Sequence, residues 1–217
     1  IGSGQPNFMI IGTVKGGTSS LYSYLIKHPS VLPAVNKELH FFNVNFNKGI
    51  DWYLSQFPRI PEQHNFFTGE ATTNYIYSGE AVSKLFNYFP KIKLIAILRN
   101  PIERAVSHYY MIQQQGTETR SLEKVIAVEM KKLEKMKNSS QFSADFLRGI
   151  KPKYLSFGLY LYFLQEWLNV FPREQFLILK SEDMYENPPA TTKKVFDFLG
   201  LSNYQLLEYK NYFPGSY

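Results

Sequence analysis

Two stretches of the chain concentrate the residue types that hold anionic groups. The first is Gly12-Thr13-Val14-Lys15-Gly16-Gly17-Thr18-Ser19-Ser20. Glycines let the backbone turn tightly and aim its N–H groups inward, and a helix opening at the end of such a turn adds partial positive charge. Lys15 supplies a full charge, and Thr18, Ser19 and Ser20 supply hydroxyl donors. A plain glycine-rich turn requires neither the lysine nor three hydroxyls. A phosphate loop of the nucleotide-hydrolase kind reads G-x-x-x-x-G-K-[ST]. Gly12 and Gly17 have that spacing, but Thr18 stands where the lysine belongs and the lysine has moved to position 15.

The second stretch runs from Leu98 to Tyr110 and reads LRNPIERAVSHYY. Arg99 follows an apolar run directly, at the carboxyl end of a strand, where open α/β sheets bind ligands. A metal–triphosphate site would place a carboxylate there for Mg²⁺. An arginine instead suits metal-free, often bidentate, phosphate binding. These departures point away from ATP or GTP. Ile102, Ala105, Val106 and Tyr109 are spaced as the buried stripe of a helix, with Arg104, Ser107, His108 and Met111 on another face. For Arg104 the simpler alternative is a surface ion pair with Glu103.

These residues need elements to hold them. Asn7–Gly12, Ile92–Leu98 and Gln175–Leu179 are compact apolar runs and are expected to be buried strands. Between and after them lie helical patterns: Thr18–His28, closed by Pro29; a helix opened by Asn100 as cap with Pro101 at its first position and running to about Gln115; and Tyr154–Val170. Leu122, Val125, Ile126, Met130, Leu133 and Met136 mark another, with the Lys and Glu residues between them facing water, and Pro188-Pro189 and Leu199-Gly200 bracket a last one. Strands separated by long helical stretches imply an α/β class: one domain with a central parallel sheet flanked by helices and a P-loop-like phosphate-binding turn.

Composition sets the outer limits. The chain has 217 residues, 44% hydrophobic, 17% aromatic and 19% charged, with no cysteine. A chain this long buries roughly 70% of its unfolded surface, enough for a core without staples. The apolar content excludes disorder, and the absence of cysteine excludes a disulfide scaffold. No apolar run approaches the ~20 residues of a membrane span, and no signal peptide is expected. A cytoplasmic location is expected, with residues 1–6 a linker and 7–217 the folded domain. Net charge is +6, from 24 basic and 18 acidic residues. A positive field raises the local concentration of anions, but the basic residues are scattered rather than striped, and no nucleic-acid partner is expected.

Taken together, the motifs resemble a known family. Lys15-Gly16-Gly17-Thr18-Ser19-Ser20-Leu21 is similar to the 5′-phosphosulfate loop of sulfotransferases that use 3′-phosphoadenosine 5′-phosphosulfate (PAPS). Arg99-Asn100-Pro101, with Arg104 and Ser107, resembles their 3′-phosphate motif. Asn36-Lys37-Glu38-Leu39-His40-Phe41-Phe42 resembles the K-E-x-H-F-F stretch of the heparan-type branch. Gly69-Glu70-Ala71-Thr72-Thr73-Asn74-Tyr75 does so too, though that branch often has a basic residue at Ala71 and proline at Thr73. Gly158-Leu159-Tyr160, Trp167, Phe171–Gln175 and Ser181-Glu182-Asp183 also fit.

The resemblance implies in-line transfer of a sulfuryl group from PAPS to a hydroxyl, a reaction that depends on positioning and charge stabilisation. Lys15 would neutralise charge growing on the 5′-phosphate, helped by the turn from Gly16 and Gly17 to Thr18, Ser19 and Ser20. Arg99 and Ser107 would hold the 3′-phosphate. A hydroxyl acceptor needs a general base. Glu38 matches the glutamate of the heparan branch, with His40 and His108 as alternatives. In an extended loop Glu38 and His40 point to one side. Glu38 could instead simply pair with Lys37, and His40, among Leu39, Phe41 and Phe42, could be a hydrogen-bonded structural histidine. No histidine pair has metal-ligand spacing, and no metal is expected. Trp52-Tyr53, Tyr75 and Tyr77 are candidates for lining the acceptor cleft or stacking on adenine.

The acceptor stays open: a glycan, or a hydroxyl on a small metabolite or on a chain tethered to an acyl carrier protein, as in polyketide or olefin assembly lines. The absence of cysteine and the linker-like start favour the second, and an acidic carrier would suit a basic domain. The family also has a basic, glycine-containing segment near the C-terminus that closes over the donor, and Phe213–Tyr217 do not supply it. A P-loop nucleotide kinase and a non-catalytic polyanion-binding module are the competing classes.

Overall fold

Alternation along the apolar strands divides the interior into two layers. The computed structural model describes residues 2–60, 66–137 and 142–210; Ile1 and the Phe213–Tyr217 stretch lie outside them. The strands are β1 (Gly2–Ser3), β2 (Phe8–Gly12), β3 (Val31–Pro33), β4 (Arg59–Ile60), β5 (Phe67–Ala71), β6 (Lys93–Leu98) and β7 (Phe176–Lys180). Five of them form one parallel sheet in the order β3-β5-β2-β6-β7. Phe8 and Ile10 of β2 face one side together with Ile95 and Ile97 of β6, whereas Met9 and Ile11 face the other with Leu94 and Ala96. This is the period-2 alternation of a strand buried on both faces. Each such Ile or Phe contributes about 1.5–3 kcal/mol by leaving water. Residues 2–3, in the stretch expected to be a linker, pair antiparallel with β4.

The helices are α1 (Thr18–Leu25), α2 (Ile50–Leu54), α3 (Gly79–Tyr88), α4 (Pro101–Gln114), α5 (Leu122–Met136), α6 (Ala144–Gly149), α7 (Tyr160–Leu168), α8 (Ser181–Glu186) and α9 (Pro188–Leu199). Leu21 and Leu25 of α1 and Val195, Phe196 and Leu199 of α9 join the Phe8/Ile10 layer. Val82 and Leu85 of α3 and Phe163 and Trp167 of α7 join the other. The α/β sandwich with a parallel sheet is as the sequence implied. The helix at Asn100 opens as expected: its side chain accepts from the N–H groups of Ile102 (3.0 Å) and Glu103 (3.3 Å), and Pro101 follows.

Several local expectations give way to tertiary partners. Ile102 is 71% exposed rather than part of a buried stripe, while Arg104 is fully buried. Glu103 pairs with Arg99, not Arg104. In α5, Glu129 does not face water: it is buried and accepts from the N–H groups of Tyr154 (2.8 Å), Leu155 (2.9 Å) and Ser156 (2.7 Å). Those N–H groups serve a carboxylate on another element, and the expected Tyr154–Val170 helix is instead a short 3₁₀ turn at Ser156–Gly158 followed by α7. The first helix stops at Leu25 rather than His28, whose ring bonds Ser202 O and Ser30 N. No helix among the described residues is long and apolar enough to cross a membrane.

Candidate functional site

The carboxyl ends of β5, β2 and β6, three neighbouring parallel strands, converge on one edge of the sheet. The chain leaves β2 toward β3 on one side and later enters β6 on the other, so the strand order reverses at β2, where ligands of open α/β sheets bind. The turn after β2 is fastened at its root: Thr13 N–H donates to Ile97 O (3.0 Å) and Gly16 N–H to Thr13 O (2.9 Å). Thr13 Oγ1 also bonds the hydroxyl of buried Tyr77. A Cβ on Gly16 would lie 2.4 Å from Ile97 O. Gly17 is left-handed at φ 97° and caps α1 with no side-chain cap bond, and no acidic residue occupies the first turn. No side chain caps the N-terminus of α1, whose dipole favours an anion there. Lys15 is itself left-handed at φ 62°. Thr18 and Ser20 are buried and Ser19 is half-buried. Close backbone approach, a helix N-terminus and a lysine in one turn fit the phosphate end of a nucleotide.

Beside it, after β6, Arg99 sends Nη2 to Glu103 Oε2 (3.1 Å) and its carbonyl accepts from the Tyr160 hydroxyl (2.9 Å). Asn100 N–H donates to Glu182 Oε1 (2.7 Å), which ties this loop to α8. Arg99 retains 18% side-chain exposure, whereas Ser107 is buried.

The third wall is the segment before Phe41. Glu38 N–H donates to Ala71 O (3.0 Å) at the end of β5, and Thr73 Oγ1 donates to Glu38 Oε2 (3.3 Å). Glu38 and His40 do share a side, with His40 Nε2 3.2 Å from Glu38 Oε2, but not because the loop is extended. Both residues are left-handed, at φ 64° and 51°. Lys37 Nζ reaches the other carboxylate oxygen at 2.9 Å. Burial acts to raise the Glu38 carboxyl, but the hydrogen bond from His40 and the charge and hydrogen bond of Lys37 outweigh it and hold it at about 2. The same bond to Glu38 raises His40 above its ordinary value.

His108 differs from both. Burial, then the charges of Arg104 and Lys15, push it down to about 3, so its ring is neutral. Arg104 Nη1 can only donate, so His108 Nδ1, 3.4 Å away, accepts and Nε2 carries the proton. His108 in this arrangement offers a donor rather than a lone pair. Among the described residues no three potential ligands cluster as a metal site.

The profile of the sulfotransferase domain family matches residues 5–213. The chain belongs to the sulfotransferase domain family. It is 34% identical over 202 residues to human bifunctional heparan sulfate N-deacetylase/N-sulfotransferase 3, covering 90% of this chain but 22% of that protein. It is 32% identical to human heparan sulfate glucosamine 3-O-sulfotransferase 6, covering 90% of this chain and 52% of that one. Among solved structures, a sulfotransferase from Alicyclobacillus acidocaldarius superposes with TM-score 0.75 at 27% identity, over 92% of this chain and 82% of the other. The sulfotransferase domain from the curacin biosynthetic pathway is similar in fold alone, at 14% identity and TM-score 0.52 over 92% and 76%.

Within this sulfotransferase domain the aromatic candidates are largely core. Tyr53, Tyr75 and Tyr77 are buried, the first two bonding Glu70 and the third bonding Thr13 and Phe157 O (3.1 Å). Trp52 is half-buried and carries Lys48 4.3 Å above its ring. One neighbour of the site, Tyr185, escaped the sequence reading, and another, Glu182, was marked there only through the family resemblance. Tyr185 of α8 places its hydroxyl 3.1 Å from where a Cβ on Gly17 would sit, and Glu182 anchors the Arg99 loop. Tyr185 carries no local signal, since α8 is brought to the loops by the sheet.

Proposed function

We propose that this domain transfers a sulfuryl group from PAPS to an acceptor on a glycan. The supporting observation is the convergence of the Lys15 turn, Arg99 and the Glu38–His40 pair at the ends of three adjacent strands. PAPS supplies the sulfuryl group. Lys15 and the amides at the start of α1 offset negative charge on the phosphate side of the transferring group, the kind of fixed electrostatic help worth about 10²–10³ in rate per donor. Arg99, released from Glu103, and Ser107 recognise the 3′-phosphate. Glu38 accepts the acceptor's proton; its tie to Lys37 makes it a weak base until an acceptor or the donor's charge displaces that lysine. His108 is a neutral donor and not the base.

The glycan assignment rests on likeness of sequence. Relatives above 30% identity are named for heparan sulfate, with nitrogen and oxygen acceptors both among them, whereas the assembly-line neighbour shares only the fold. The chain spans 22% of the first relative's length, and the activity of the whole protein is part of the proposal.

The deciding experiment is calorimetric binding of 3′,5′-adenosine bisphosphate (PAP) against 5′-AMP and ATP, followed by transfer of radiolabelled sulfuryl to a desulfated heparan-type oligosaccharide and to a 3-hydroxyacyl phosphopantetheine. Preference for PAP and labelling of the oligosaccharide support the reading. Labelling of the pantetheine alone replaces the glycan with a carrier-tethered acceptor. Mg²⁺-dependent ATP turnover, indifferent to the 3′-phosphate, overturns the reading in favour of a kinase, and binding without any transfer favours a polyanion module.

A further inference from the structure

A carboxylate in the middle of a buried strand has no ordinary place in a core. Glu70 of β5 is fully buried opposite Met9, and no ion pair to it occurs among the described residues. Its oxygens instead collect four donors: Leu39 N–H (3.2 Å) and Thr72 Oγ1 (2.6 Å) on Oε2, and the hydroxyls of Tyr53 (3.0 Å) and Tyr75 (3.1 Å) on Oε1. Two of these donors pass the connection on. Thr72 Oγ1 accepts from His40 N–H (3.3 Å), and Tyr75 Oη accepts from Phe42 N–H (3.3 Å). Leu39 N–H thus ends on Glu70 itself, and those of His40 and Phe42 on side chains that bond it.

The segment fastened in this way contains two non-glycine residues in the left-handed region, a conformation that persists only where the surroundings over-determine it. Released from its anchors, the turn would relax toward ordinary backbone and the two side chains would part. We propose that Glu70 is the positioning residue of this turn, its four-fold bonded carboxylate clamping Leu39 so that Glu38 and His40 stay in contact at the mouth of the site. The proposal deepens the reading of Glu38 as base and rests on it for the catalytic consequence, while the clamp itself can be tested without turnover.

The test uses the full chain and the ring titration of His40, followed by NMR and assigned with His40→Gln. In the parent protein His40 titrates above the ordinary histidine value. In Glu70→Gln, which keeps the volume but turns two of the four donors against an NH₂ group, His40 returns to the ordinary value. PAP affinity stays unchanged and transfer to the oligosaccharide falls on the order of 10²-fold, the cost of misplacing a reacting group by about an ångström. A folded Glu70→Gln protein whose His40 titration is that of the parent overturns the clamp. If that variant does not fold, Thr72→Val decides in the same terms, because it removes one of the four donors on Glu70 together with the hydroxyl that takes His40 N–H. Glu38→Gln separates the two ideas: transfer surviving in it sinks the base assignment, and the His40 titration of Glu70→Gln still judges the clamp.

Discussion

The imidazole of His40 meets the carboxylate of Glu38, Nε2 to Oε2 at 3.2 Å, across a turn in which both residues are left-handed. The contact has a pH signature. Glu38 is held below its unfolded value, so its contribution is present above about pH 4.5 and fades as pH falls toward 2. His40 is raised, so its contribution is complete below about pH 6.5 and is lost as pH rises through its folded value. The pair therefore helps most between about pH 4.5 and 6.5. Thermal melts of the parent and of His40→Gln should differ in that window, by under about 1 kcal/mol for so exposed a pair, and converge at pH 9. An equal difference at both pH values counts against the pairing.

Proton transfer should depend on Glu38 and not on His108. Glu38→Gln is expected to lower kcat by about 10²–10⁴, the usual range for a lost general base. His108→Gln, which keeps a donor, should leave the titrating limb of the kcat/KM profile where it is. A limb that vanishes with His108 would reassign the base.

A side chain at position 17 would strain the turn after β2 and push Met184 aside. Gly17→Ala would place a Cβ 2.6 Å from Met184 Cε at φ 97°. The left-handed conformation alone costs an alanine about 1–2 kcal/mol. Chemical denaturation should show at least that loss, and calorimetry a weaker PAP affinity. Parent-like values in both would mean that the turn does not shape the donor site.

Removing Lys15 should act on chemistry and binding without harming the fold, since the residue is only half-buried. Lys15→Ala is expected to reduce kcat about 10²–10³-fold with little change in melting temperature. Lys15→Ala with full activity would exclude it from the transferring group.

Buried Glu129 should matter more to stability than its surface-helix pattern suggests. Glu129→Ala leaves three amides of residues 154–156 without an acceptor, at a cost of about 3 kcal/mol or more by denaturant unfolding. A loss below about 0.5 kcal/mol, typical of exposed positions, would show that water replaces it.

Local signals made much of this protein legible in its sequence. The apolar runs of β2, β6 and β7 read as strands, and all three lie in the sheet. The Asn100-Pro101 start follows from capping chemistry, and the turn between β2 and α1 falls where the glycines, lysine and hydroxyls place it. What only the tertiary structure decided concerns groups whose partners lie far along the chain. β5, with its Thr68-Gly69-Glu70 centre, has no apolar run to reveal it and exists because β2 and β3 flank it. Arg104 and Glu129 sit among exposed-looking helix residues, yet both are buried, Arg104 donating to Tyr154 O and Glu129 accepting from the N–H groups of residues 154–156. The left-handed turn that joins Glu38 to His40 is set by Glu70 and Thr72, more than thirty residues away. Periodicity and spacing report what a residue does with its neighbours in sequence. A buried charge is satisfied by whatever the fold brings to it, and that is fixed only when the sheet is assembled.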